Sequence, residues 1–410
     1  MGDSLIRRFG APNQLLFWSL TILVSIAFRL WSLDLLNGRA PGGDTPNYLM
    51  IADNILSGRG LLLVDSTGLH MRATYPPLYP LLLAAVGLTL PLSFAVITAM
   101  NTAIELACAW LMTRLGKDLG SPQAGSLAAA LYLVWPTNLG MAPLARKEPL
   151  IALLVLALLV VLVRAIGRGN WRSGILYGIL TGLLALTQPG LLFLPALFAL
   201  VVLPRFDDRR RWLAMMAIAA ACAVLTVLPW WIRNWLLFHK FVPLTAAGGY
   251  SLWIGSTPVG DGTYLQAPPS FWLRDEFKMS AQLGAEAKRI IASDPVGYFV
   301  HCIAKFIRGM FTEHRGASQI YWAVRHSHAG IASLWVGLVT PMPSGLARPL
   351  IESLECDAVM SEHDIDAVIP PPPDGLTSYR DAVSHAVSHG PLPSDPDWAG
   401  SRKKLRPAQR

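Results

Sequence analysis

Seven stretches of this chain, residues 14–35, 92–114, 122–137, 149–166, 173–187, 190–204 and 212–232, are runs of mainly apolar residues. A helix needs about 20 such residues to cross the roughly 30 Å hydrocarbon core of a bilayer. In that core the backbone must satisfy its own hydrogen bonds, so an apolar run of this kind is expected to be a helix. This constraint decides the class before any motif is read. The chain is expected to be an all-α polytopic membrane protein with about seven transmembrane helices. Composition agrees: 53% of the 410 residues are hydrophobic and 15% are charged, whereas a globular domain carries about a quarter charged.

The formal charge of +8 does not point to nucleic acid, because Lys and Arg sit mainly between the apolar runs. There they set orientation. With Arg7 and Arg8 in the cytoplasm, three loops also fall on that side: Arg114 with Lys117, Arg164 to Arg172 with Arg168, and Arg205 with Arg209, Arg210 and Arg211. This holds only if the apolar stretch 76–92 does not cross. Its four prolines suit a segment lying along the interface, or dipping in and returning. Two outer regions result, 36–91 with juxtamembrane helices and a second from Arg233 to about 296. The first run is read as an uncleaved helix, since its apolar core exceeds the usual 7 to 15 residues of a signal peptide. Cys108, Cys222, Cys302 and Cys356 lie far apart with no CxxC or Cys/His spacing, which indicates neither a disulfide framework nor zinc. Residues 297–312 are amphipathic, basic and short for a span. The organisation expected is a membrane core, 1–312, and an irregular tail, 313–410, read as a fused or degraded segment.

Three stretches could carry chemistry. In "PGGDTPNYLMIADNILSGRG", Asp44 is an acid beside a membrane segment, a functional candidate by default. Its plainer role would be to cap a helix over 45–57. In "ARKEPLIALLVL", Arg146, Lys147 and Glu148 stand at the outer mouth of a helix. Glu148 either serves the helix dipole or faces Asp44, where two carboxylates could hold a divalent metal ion or tune one another. In "LPWWIRNWLLFHKFVPLTAAGGYSLWIGSTP", Arg233 lies among Trp230, Trp231 and Trp235. That is an interfacial belt, or a guanidinium placed to bind a lipid phosphate. Arg72, in "HMRATYPPLYP", has a similar setting. Tyr48, Tyr75, Tyr250 and Trp253 supply aromatic faces for a sugar or acceptor.

Four pieces in order, "GGDTPNYLMIADNILSGRG", "RATYPPLYPLLLA", "KEPL" and "PWWIRNWLLFHKFVPL", resemble the GT-C superfamily of polytopic glycosyltransferases over about residues 12–310. The likeness is to the bacterial branch related to protein O-mannosyltransferases and lipid A aminoarabinose transferases. The resemblance implies that Asp44 is the catalytic base and that Glu148 corresponds to the family's second outer acid. It also implies a polyprenyl-phosphate-sugar donor held by Arg233, Arg72 and Lys147, membrane lipids as partners, and an extracytoplasmic lipid, glycan or protein acceptor. The setting implied is the cytoplasmic (inner) membrane of a cell envelope. Two departures stand out. Many relatives carry an acidic pair where Asp44 is followed by Thr45, and relatives continue with further helices. The tail is vaguely similar to the end of short-chain-dehydrogenase-like proteins, yet no glycine-rich dinucleotide fingerprint follows a strand, so an oxidoreductase is not expected. Two other readings are a noncatalytic lipid-binding protein that kept the core, and a transporter. The transporter is disfavoured by the few ionisable residues expected mid-helix.

Overall fold

The computed structural model describes residues 11–35, 43–65, 68–166, 170–257, 265–271, 273 and 275–311. Among them the protein is all-α apart from one short ribbon. Helix α1 (Ala11–Leu35) leads to a loop region that holds α2 (Thr45–Leu56), strands β1 (Leu63–Val64) and β2 (His70–Met71), and α3 (Leu78–Gly87). The strands are antiparallel, Leu63 opposite Met71 and Val64 opposite His70. There follow α4 (Phe94–Asp118), α5 (Pro122–Leu133), α6 (Pro136–Gly140), α7 (Glu148–Ala165), α8 (Trp171–Thr187), α9 (Leu194–Val202) and α10 (Arg209–Phe238). Beyond them lie α11 (Gly248–Ser256), α12 (Glu276–Ser293) and α13 (Pro295–Phe311).

All seven apolar runs are helical. Four are long and apolar enough to cross a bilayer alone: residues 14–34 of α1, then α4, α7 and α10. A fifth arises if α12 and α13, bent by 107° at their junction, count as one broken span. The expected count of seven is therefore narrowed to four or five by length. Proline explains the difference. Trp135 and Gln188 both precede a proline and are extended (ψ 131° and 92°), because the ring clashes with a helical predecessor. Each proline then opens a new helix in its first turn. Thus α5 ends at 12 residues and α8 at 17, and α9, which begins beyond the short 3-10 turn Pro189–Leu191, has nine. The 17 residues of α8 rise about 26 Å. Helix α3, with ten residues, rises about 15 Å and cannot cross alone.

Close packing comes from glycine on one seam. Gly174, Gly178 and Gly182 of α8 face α10, and a Cβ on Gly178 would lie 2.2 Å from the Ala219 carbonyl oxygen. Small residues four apart let backbones approach where no water is expelled to drive association. The main core gathers Leu154, Leu158, Tyr177 and Met215 from α7, α8 and α10 with Tyr48 of α2 and Tyr79 of α3. Helices α2 and α3 therefore rest on the bundle, and residues 44–48 are held by it. At the far end of α10, His239 adopts a left-handed conformation (φ 52°) and closes the helix through a 2.9 Å bond from its N–H to the Trp235 carbonyl. The expected tail, 313–410, lies outside the described residues.

Candidate active site

Asp44 stands at the N-cap position of α2, but its side chain makes no capping bond. Two local causes are visible. The residue has helical φ and ψ (−80°, −9°) where a capping side chain needs an extended backbone. Pro46 also removes one of the N–H groups that a cap would bind. The exposed carboxylate instead accepts a hydrogen bond from the Tyr75 hydroxyl at 3.1 Å, and that oxygen accepts from Asn47 Nδ2 at 2.8 Å.

Lys147 and Glu148 come to the same place. Thr45 Oγ1 donates to the Ala145 carbonyl at 3.2 Å, which ties the start of α2 to the segment before α7. Lys147 is half-buried, and burial pulls its ammonium pKa down while Glu148 and Asp44 push it up. Both carboxylates thus act on one lysine. Glu148 is exposed at the first turn of α7, where the helix dipole favours an acid. Tyr48 is only 1% exposed, so it lies beneath this surface. Its ring meets Tyr75 and Tyr79 edge-on at 5.3 and 4.9 Å. Burial, reinforced by Asp44 and Glu148, raises its phenol pKa and keeps it neutral. Among the described residues no three His, Cys, Asp or Glu side chains converge on a metal site. A divalent ion here would rest on Asp44 and Glu148, completed by water or substrate phosphate as magnesium commonly is.

The expected phosphate-binding residues divide between two places. Arg72 and Arg233 line an open groove of about 780 Å³, together with Arg59 and an apolar wall that includes Pro229, Ile232 and Leu236. Arg233 Nη1 donates to the Arg72 carbonyl at 2.9 Å and to Asn234 Oδ1 at 2.7 Å. Its guanidinium lies 4.7 Å from the centre of the Trp230 ring. Lys147 does not line this groove; it belongs to the Asp44 cluster. A very small cleft bordered by Ile51, Leu61, Met71, Arg72 and Tyr75 lies between them, sharing Leu61 and Arg72 with the groove and Tyr75 with the cluster.

Sequence reasoning missed four contributors. Arg59, within the quoted "ILSGRG", completes the groove and pairs with Asp53 at 3.1 Å. Glu276, buried, accepts hydrogen bonds from the Arg72 and Ala73 N–H groups and the Thr74 hydroxyl at 2.7–3.2 Å. It clamps the segment that presents Arg72. The others are Arg29 and Glu105, mid-helix and buried. They are among the few ionisable residues expected there. Tyr250 and Trp253 are placed elsewhere. The Tyr250 hydroxyl donates to the Leu265 carbonyl at 2.9 Å, and Trp253 packs with Ala267, Leu283 and Ala287 where α11 meets α12.

Residues 73–257 match the family model of glycosyltransferase family 87. The activity this chain resembles is that of a membrane glycosyltransferase. The match takes in Tyr75, Lys147, Glu148, Arg233, Tyr250 and Trp253; it begins just after Arg72, and Asp44 and Tyr48 lie outside it. No curated protein and no solved structure matches the chain. Nothing in the match bears on the narrower bacterial branch or on the dehydrogenase-like likeness of the tail.

Proposed function

We propose that the protein transfers a sugar from a polyprenyl-phosphate carrier to an extracytoplasmic acceptor, as a GT-C-type enzyme of the cytoplasmic membrane. The observation that carries this reading is an acid freed from its capping role, beside Lys147 and Glu148 and one cleft away from an arginine-lined apolar groove. Asp44 takes the proton of the acceptor hydroxyl as its oxygen bonds to the anomeric carbon. The bond from that carbon to the carrier phosphate breaks, and the phosphate leaves with the electron pair. Arg233 and Arg72 hold it through charge-assisted bonds while the carrier chain follows the apolar wall. Lys147 adds positive charge near the reacting centre, in a partly dry site where such charge is most effective. A divalent ion, if bound by Asp44 and Glu148, would add the same kind of stabilisation.

The test is turnover of a labelled polyprenyl-phosphate sugar in membranes that contain the protein. Product should form with the native chain. A chain that binds carrier in the groove yet never releases sugar from any donor would instead be the noncatalytic lipid-binding protein.

A further inference from the structure

Beneath the outer site lies a set of charges with no exposure to spare. Glu105 of α4 is 0% exposed, Arg29 of α1 is 2% and Arg146 is 8%. One Glu105 oxygen pairs with Arg29 Nη2 and the other with Arg146 Nη2 at 3.2 Å. Arg29 Nη1 also donates to the Ser25 hydroxyl and to the Ser25 and Leu133 carbonyls. Buried pairs of this kind are costly to desolvate, and well-packed apolar residues often match or exceed their stability. In a bilayer an ionisable residue is a functional candidate. What the pair specifies is a position.

That position is legible along α4. Asn101, Glu105 and Cys108 are spaced by four and three, so they share one face. They meet the segment 142–149 in order. Asn101 Nδ2 donates to the Ala142 and Leu144 carbonyls at 2.8 and 2.9 Å, Glu105 takes Arg146, and Cys108 Sγ lies 3.8 Å from the Pro149 carbonyl. Lys147 and Glu148 fall within that segment, and Thr45 reaches it from the other side through Ala145. A clamp between α1 and α4 alone would need only Arg29. The second oxygen of Glu105 is spent on the segment that carries the site.

We propose that Glu105 is a positioning residue: shared between Arg29 and Arg146, it fixes Arg146 and so sets where Lys147 and Glu148 stand at the outer mouth of α7. Its consequence for catalysis rests on the transferase reading above; its consequence for Lys147 does not.

The experiment reads the rate of Lys147 acylation by a membrane-impermeant amine reagent at one fixed pH, normalised to the exposed Lys278 of the same chain and followed by peptide mass spectrometry, together with melting temperature and sugar transfer. In the native chain half-buried Lys147 should label more slowly than Lys278. E105Q should raise the relative rate of Lys147 several-fold and lower transfer at least tenfold. The double variant R29E/E105R restores an ion pair between α1 and α4 but sets a cation beside Arg146. It should recover melting temperature while the Lys147 rate stays raised. Should those two fail to fold, E105D keeps the charge on a shorter arm that cannot serve both arginines, and its Lys147 rate should also rise. An unchanged rate in the folded variants, or a double variant that restores the native rate with stability, would overturn the proposal. If the native chain turns over no donor, the transferase reading fails while the Lys147 labelling still decides this one.

Discussion

The Asp44 cluster and the arginine groove meet at Arg72 and Tyr75, yet they are built in opposite ways. In the cluster, two acids and a half-buried lysine are fixed from below by Thr45, Asn101 and the Glu105 network. In the groove, Arg59, Arg72 and Arg233 stand on an open, largely apolar wall. Arg233 is braced by the Arg72 carbonyl and the Trp230 ring, and Arg59 by Asp53. The side chain of Arg72 has no hydrogen bond among the described residues. Its backbone is held instead, the N–H by Glu276 and the carbonyl by Arg233. The difference teaches a division of labour. A proton transfer needs groups set to within a fraction of an ångström, whereas a lipid phosphate needs charge over an apolar surface along which a long chain can lie.

That division can be broken by substitution. D44N should cost about 10² to 10⁴ in transfer at saturating carrier, the usual loss for a general base, while carrier binding stays near normal. R233A should do the reverse. Its loss should appear as about a 10- to 100-fold higher KM for the carrier, the scale of a charge-assisted bond, with turnover at saturation largely kept. R233K should recover little of it, because a lysine cannot reproduce the planar fork. If D44N loses carrier binding, or R233A loses saturated turnover, the two regions are one site and the comparison fails.

Lys147 sharpens the boundary. Burial lowers its pKa, so on raising the pH it loses its charge before an ordinary lysine near 10.4 does. Folding gains stability in that window, since the unfolded chain still binds the proton that the native one has released. Transfer should decline over the same window, and K147R should flatten that alkaline limb in a pH–rate profile. An identical limb in K147R would remove Lys147 from the site. The smallest effect belongs to Y75F, which deletes one donor to Asp44. A loss of a few fold in saturated turnover is expected, without change in carrier KM. A change in KM alone would place Tyr75 functionally with the groove.

Much of this arrangement was legible in the residues themselves. Apolar runs announced helices, and the placing of Asp44, Lys147 and Glu148 beside such runs marked them for attention. Periodicity reports which residues share a face, however, and says nothing of which element will cover it. Tyr48, Tyr250 and Trp253 could have been surface aromatics on pattern alone; packing against α3 and α12 took Tyr48 and Trp253 inside and left Tyr250 half-buried. Arg59 pairs locally with Asp53, which says nothing of the groove it lines, and Glu276 had no local signal, since its partners lie some 200 residues away.

The sequence by itself determined the membrane class, the helical elements and the acids and bases at their ends, because transfer to hydrocarbon is priced residue by residue and read over a single segment. Only the tertiary structure decided that Asp44 does not cap its helix, that Arg72 and Arg233 part company with Lys147, and that Glu105 joins Arg29 to Arg146. Those outcomes depend on which distant groups satisfy a buried charge or hydrogen bond. A carboxylate in a low dielectric must find its partners in space, and neither spacing nor composition names them.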